Sequence, residues 1–328
     1  MNNKSVVSAD GVRRAAERLR GVAMRTPLIE NQLLNERIGA RVLLKAESLQ
    51  HCGSFKFRGA YTFISRLGAH DLKRGVIAWS SGNHGQAVAR AARLFGVKAV
   101  IVMPEDAPLT KRQGVERDGA TIVTYDRYKD DREAIAREIA EREGYIIAPS
   151  FDHPDIIEGQ GTTALEAAEG ASRQGLSFDA FVVCCGGGGL TAGCATILKD
   201  MTPDADILIV EPEGFDETLA SIRTGERQAA DVSQHTLCDA LATPTPGQLT
   251  LEIMRNHVSG GAAVSDQETM AAMRFAFQHL RIILEPGGAV ALAALLAKKL
   301  EFCGDTVCVT LSGGNVDSSL FREVLREK

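Results

Sequence analysis

The sequence predicts an α/β fold with mainly parallel sheets, arranged as two units around a cleft. Three observations predict it. Strand-length apolar runs alternate with helical stretches along most of the chain, the runs outnumber what one compact sheet comfortably holds, and no Pro/Ser-rich linker separates tandem domains.

The runs are Val42–Leu44, Val76–Trp79, Ala99–Met103, Thr121–Tyr125, Tyr145–Ala148, Ala180–Cys185, Asp206–Glu211 and Thr306–Leu311, most of them rich in β-branched residues. Between them, His84–Phe95, Arg132–Arg142 and Ile156–Arg173 read as helices, with Ile135 and Ile139 forming an i, i+4 apolar pair amid charges. Asp317–Lys328 reads as a closing helix. Without a linker, one unit is expected to be inserted in the other: residues 51–149 form a small α/β domain, and residues 1–50 with 150–328 form the large one. No C-terminal regulatory domain is expected. A cleft between two such units is a preferred ligand site.

Composition narrows the function. The 328 residues are 45% hydrophobic and 24% charged, and 37 basic against 42 acidic residues leave a net charge of −5 with no basic run to neutralise successive phosphates. Nucleic acid is not an expected partner. The longest apolar run, Ala289–Ala297, is too short to cross a bilayer, and the Arg-containing start lacks the apolar core of a secretory signal, so a cytoplasmic protein without a membrane partner is expected. The 7 cysteines include no C-x-x-C pair, and several lie in apolar strands as small hydrophobes.

Lys56 follows a Gly53-Ser54 helix-start signal. At a helix N-terminus the macrodipole lowers an amine's pKa, and the flanking Phe55 and Phe57 add desolvation in the same direction. A neutral amine of this kind is a nucleophile. The alternative is an ordinary solvated lysine, which the apolar neighbours argue against. Downstream, the strand Ala180–Cys185 runs into Gly186-Gly187-Gly188-Gly189 and then a helix, a turn whose exposed N–H groups suit a phosphate. Gly187-x-Gly189-x-x-Ala192, with Glu211 about 20 residues on, also fits a dinucleotide fingerprint. A hydride-transfer enzyme would give Lys56 no role. Ser80–Gln86 and Leu311–Asn315 are further strand-to-turn junctions, the first able to bind a substrate carboxylate, and all can face one crevice.

SFKFRGA (54–60), SSGNHGQA (80–87), GGGGL (186–190), VEP (210–212) and LSGGN (311–315), in this order across nearly the whole chain, resemble the fold-type II (tryptophan synthase β-like) pyridoxal-phosphate enzymes of the serine/threonine dehydratase and serine racemase group. The resemblance implies that pyridoxal 5′-phosphate is held on Lys56 as an internal aldimine, with Phe55 against the ring. Asn83 meets the ring hydroxyl, Gly186, Gly187, Gly188, Gly189 and Leu190 hold the phosphate, and Ser312 meets the pyridine nitrogen. Ser81 faces the substrate Cα opposite Lys56. Ser80, Asn83, His84, Arg132 and Thr243 are expected around the substrate. Arg132 aligns with a carboxylate-binding arginine of the racemases, although its charged neighbours read as a solvated helix face. Ala240 stands where family members often carry glycine and adds a methyl beside the ring. Glu211, the backbone of Phe215 and Glu217 align with a cation site in the racemase branch, for Mg2+ or another divalent ion, with glutamate where aspartate is usual. A homodimer is also implied.

A neutral hydroxyl at Ser312 leaves the ring nitrogen largely unprotonated, which favours prompt loss of a β-substituent. The expected reaction is therefore dehydration and deamination of a 3-hydroxy amino acid, L-threonine or L-serine first, with Lys56 removing the Cα proton. Alternatives on the same scaffold are 3-hydroxyaspartate dehydration, if Arg132 or another cation reads a second carboxylate, and serine racemisation through Ser81. An NAD-dependent oxidoreductase and a catalytically dead amino-acid sensor are the readings from other classes.

Overall fold

A computed structural model describes residues 6–80, 82–107, 109–231 and 233–326. Its strands are β1 (Leu28–Glu30), β2 (Arg41–Lys45), β3 (Val76–Trp79), β4 (Ala99–Pro104), β5 (Thr121–Tyr125), β6 (Ile146–Ile147), β7 (Ala180–Cys184), β8 (Asp206–Pro212), β9 (Gly260–Val264) and β10 (Thr306–Thr310). They form a six-stranded sheet in the order β1-β2-β10-β7-β8-β9 and a four-stranded sheet in the order β5-β4-β3-β6. Every pairing is parallel except that of β1 with β2. Helices cover the sheets, so strands such as β7 and β4 are buried along their whole length.

β1 and β9 have no counterpart among the apolar runs. β9 reads Gly-Gly-Ala-Ala-Val, weak in β propensity, and is a strand because it pairs in register with β8 from Leu208↔Gly260 to Pro212↔Val264. Helix Ser318–Arg326 falls within the expected closing helix Asp317–Lys328, whose last two residues lie outside the described ones.

Helix Pro154–Ser172 lies between the two halves of the site. Gly161 and Gly193 let it meet helix Gly189–Met201 backbone to backbone, since a Cβ on Gly193 would lie 2.1 Å from the Ile157 carbonyl oxygen. On its other flank it meets helix Lys56–Arg66 through a buried ion cluster. Arg58 donates to Glu47 at 2.7 Å and to Glu166 at 2.8 Å, and Lys45 donates to Glu166 at 2.7 Å. Arg58, Lys45 and Glu47 are essentially without solvent contact. Removing one member would strand the others as uncompensated buried charge, so the cluster fixes the helix that begins at Lys56.

Candidate active site

The C-terminal ends of β3, β7 and β10 open onto one cavity of about 190 Å³ between the two sheets. Phe55, Lys56, Ser80, Asn83, His84, Arg132, Gly186 to Leu190, Ala240, Thr243 and Ser312 all line it, so residues from across the chain converge as the motif order suggested. Ser81 lies outside the described residues.

Lys56 is the first residue of its helix, with Phe55 at the N-cap position and no side-chain cap bond. The expected Ser54 cap is not made: Ser54 is extended, and its buried hydroxyl has no partner among the described residues. The Lys56 amine donates to the Ser150 carbonyl at 3.0 Å. The side chain is half-buried and lines the cavity. Burial pushes the amine down to about 8, against the opposing pull of Cys184 and Glu285.

The turn Gly186–Gly189 crosses from β7 to helix Gly189–Met201. Gly188, at the N-cap, has φ +89°, and a Cβ on Gly187 would lie 2.3 Å from the Phe151 ring. Among the described residues, no acceptor meets the backbone N–H groups of Gly186 to Leu190, although the Gly187 carbonyl accepts from Gly247 and Thr250. Orphan donors at a helix N-terminus form an anion cradle. The segment beside it is stapled down as well: the Asp152 carboxylate accepts from the backbone N–H groups of Gln248, Leu249 and Thr250 at 3.0, 3.0 and 3.1 Å.

Ser312 Oγ lies 3.4 Å from the Gly287 carbonyl and accepts from Cys184 Sγ at 3.2 Å. Ser80 Oγ accepts from the Gly82 N–H. His84 is buried, with Nε2 3.0 Å from the Ala148 carbonyl and Nδ1 unpartnered among the described residues. Burial and the nearby Lys56 charge push it down to about 3, so it is neutral at physiological pH. Asn83 is held at both ends of its amide: Nδ2 donates to Glu285 Oε1 at 2.5 Å, and Oδ1 accepts from Asn315 Nδ2 at 2.8 Å.

Sequence reasoning missed Glu285 and Lys111. Glu285 lines the cavity and is 3% exposed, and burial pushes its carboxyl up to about 7 despite the Asn83 bond and the Lys111 and Lys56 charges. Pro286 reads as the start of an apolar helix, and nothing in the sequence marks the glutamate before it as facing the cavity. Lys111 sits in the charged stretch Lys111-Arg112, which reads as a solvated helix face. Arg132, expected around the substrate although its charged neighbours read as a solvated face, is exposed and borders the cavity.

Glu211, Phe215 and Glu217 stand apart from the cavity lining. Glu211 accepts from the backbone N–H groups of Thr218 and Leu219, while both buried Glu217 oxygens are unpartnered among the described residues. Burial pushes the two carboxyls up to about 8 and about 7. No group of three or more His, Cys, Asp or Glu side chains suited to a metal occurs among the described residues.

A lysine amine depressed to about 8 at a helix start, a run of orphan N–H groups after β7 and a buried hydroxyl after β10 face one cavity between the two sheets, a set suited to a phosphorylated cofactor held by an amine. Residues 19–313 match the family model "Pyridoxal-phosphate dependent enzyme". The chain belongs to that family, in its ammonia-lyase and racemase branch, and pyridoxal phosphate is its cofactor. It is 42% identical to an L-threo-3-hydroxyaspartate ammonia-lyase of a Pseudomonas species, over 95% of this chain and 97% of the relative. A serine racemase of Schizosaccharomyces pombe is 37% identical over 99% of both. Among solved structures, the maize serine racemase superposes with a TM-score of 0.91 at 32% identity, over 97% of this chain and 96% of that one. No described helix is long and apolar enough to cross a membrane.

Proposed function

We propose that this protein catalyses β-elimination from a 3-hydroxy amino acid, releasing a 2-oxo acid and ammonia, with Lys56 as cofactor-bearing residue and Cα base. The observation that carries this reading is the Lys56 amine, depressed to about 8 by burial and facing the same cavity as the orphan N–H groups of Gly186 to Leu190. The bound cofactor supplies the electron sink that makes the Cα–H bond acidic. The N–H groups of Gly186 to Leu190 would hold its phosphate, Phe55 and Ala240 would border its ring, Asn83 would offer its second Nδ2 hydrogen and Ser312 its hydroxyl. Ser312 is neutral and does not force a proton onto a facing ring nitrogen. Freed when the incoming substrate amine takes its place, the Lys56 amine would take the Cα proton and return it to the departing β-hydroxyl, which leaves as water, and the released enamine hydrolyses to 2-oxo acid and ammonia. Ser80, Asn83, His84 and Thr243 surround the substrate; His84, being neutral, can accept at Nδ1 without repelling a cation. Ser81 is assigned the opposite face of Cα on sequence grounds.

The same groups serve L-threonine, L-serine and 3-hydroxyaspartate. Two cations at the cavity, Lys111 and Arg132, favour the dicarboxylic substrate, in keeping with the name of the Pseudomonas relative. A divalent cation is assigned to Glu211, the Phe215 carbonyl and Glu217, where the unpartnered Glu217 oxygens would be satisfied by it.

The test is the absorption spectrum of the purified protein before and after borohydride. It is followed by 2-oxo acid and chiral assays with L-threo-3-hydroxyaspartate, L-threonine and L-serine. A borohydride-bleachable band with 2-oxo acid release is expected, and Lys56→Ala should remove both. A coloured, active Lys56→Ala variant would sink the mechanism, and D-serine formed without 2-oxo acid would make the protein a racemase.

A further inference from the structure

We propose that Lys111 reads the second carboxylate of a dicarboxylic substrate, and that Asp239 occupies the lysine until that carboxylate displaces it. The inference rests on the elimination reading above and adds the residue that selects among 3-hydroxy amino acids. Lys111 lies on helix Leu109–Arg117, beside the four-stranded sheet, and Asp239 lies in the turn before Ala240 on the six-stranded side. Both line the cavity, and Lys111 Nζ stands 3.2 Å from Asp239 Oδ2, so the pair bridges the cleft over the reaction site.

The pair is lopsided. The lysine side chain is 10% exposed and the aspartate 60%. A sheltered ammonium needs an anion, whereas an exposed carboxylate can turn into water at little cost, and such a solvated partner holds weakly. Lys111 has three donor hydrogens, and Asp239 is its one acceptor among the described residues. Lys111 Nζ lies 3.9 Å from where a Gly82 Cβ would stand, and both residues line the cavity. The ammonium thus lies beside Gly82 on the cavity wall that also carries Ser80 and Asn83. Arg132 adds a second positive charge at the rim with no acidic partner among the described residues. Glu285, the other acid near Lys111, is engaged with Asn83.

A substrate carboxylate would therefore exchange one carboxylate for another at Lys111 and return Asp239 to water. Serine and threonine carry nothing to make that exchange, so the Lys111–Asp239 pair would persist over them. Selectivity then arises as a difference between two bound states.

The experiment uses holoenzyme of the wild type, Lys111→Met and Asp239→Asn. It measures kcat/KM for L-threo-3-hydroxyaspartate and L-serine, and the dissociation constants of succinate and butyrate by calorimetry. Cofactor absorbance and circular dichroism serve as checks of folding. Lys111→Met should lower the hydroxyaspartate-to-serine ratio of kcat/KM on the order of 100-fold, chiefly through KM, and weaken succinate relative to butyrate to a similar degree. Asp239→Asn should move both ratios the other way. Equal losses on both substrates, or an unchanged succinate-to-butyrate ratio in Lys111→Met, would overturn the assignment. A wild type that releases no 2-oxo acid from any 3-hydroxy amino acid would instead defeat the elimination reading, while the succinate comparison would still judge Lys111.

Discussion

Replacing Glu285 by Gln should remove a proton-linked part of the protein's stability. Glu285 is 3% exposed, and burial raises its carboxyl from 4.5 to about 7, with the Asn83 bond and two lysine charges only partly offsetting it. An acid whose value is raised by folding takes up a proton on folding between those two values. The associated stabilisation is therefore present at low pH and lost as pH rises through about 7. Between pH 5 and pH 8 the loss amounts to about 2–3 kcal/mol. Glutamine keeps an acceptor for Asn83 Nδ2 but cannot ionise. In urea unfolding of cofactor-free protein at pH 5, 6, 7 and 8, followed by Trp79 fluorescence and circular dichroism, Glu285→Gln should gain on wild type by that amount as pH rises. Glu211 and Glu217 are raised as well, but they are common to both proteins and cancel in the difference. A wild-type-minus-variant difference that stays constant across the four pH values would refute the reasoning.

Gly187→Ala should cut cofactor retention at least tenfold, since its Cβ would meet the Phe151 ring at 2.3 Å and that ring also borders the cavity; dialysis against buffer with spectral readout measures this, and full retention would disprove the cradle's tightness. Mg2+ should raise the melting temperature more at pH 8 than at pH 6, because a Glu217 carboxyl near 7 must lose its proton to bind. Glu217→Gln should abolish that rise, and a wild type indifferent to Mg2+, Mn2+ and Ca2+ would remove the cation site.

What was legible in the sequence was local chemistry. SFKFRGA and GGGGL announce themselves because a lysine between phenylalanines and a run of glycines are each unusual, and the parallel sheets follow from apolar runs alternating with helical stretches. β9 was illegible because Gly-Gly-Ala-Ala-Val is a strand only through its pairing with β8. Glu285 and Lys111 were hidden for a different reason. Their environment is created by distant segments: Asn83 stands 202 residues from Glu285, and Asp239 stands 128 residues from Lys111. The Ser54 cap was misread because Phe55 takes the N-cap position and Ser54 stays extended in a bridge with Gly313.

Helix Pro154–Ser172 gives the two halves of the chemistry a common spine. One flank grips the Lys56 helix through Arg58 and Glu166, and the other touches the cradle helix at Gly161 and Gly193. The span from the Lys56 amine to the glycine turn is thus tied down by helix packing, while the Lys56 helix also shares its apolar core with β3 and β4 of the four-stranded sheet, whose flank supplies Lys111 and Arg132. Exposed or loosely paired cations on that flank can change without disturbing this packing, since Arg132 is exposed and Lys111 pairs only with the exposed Asp239 among the described residues. One scaffold can then acquire new preferences by altering a few cations on a single wall.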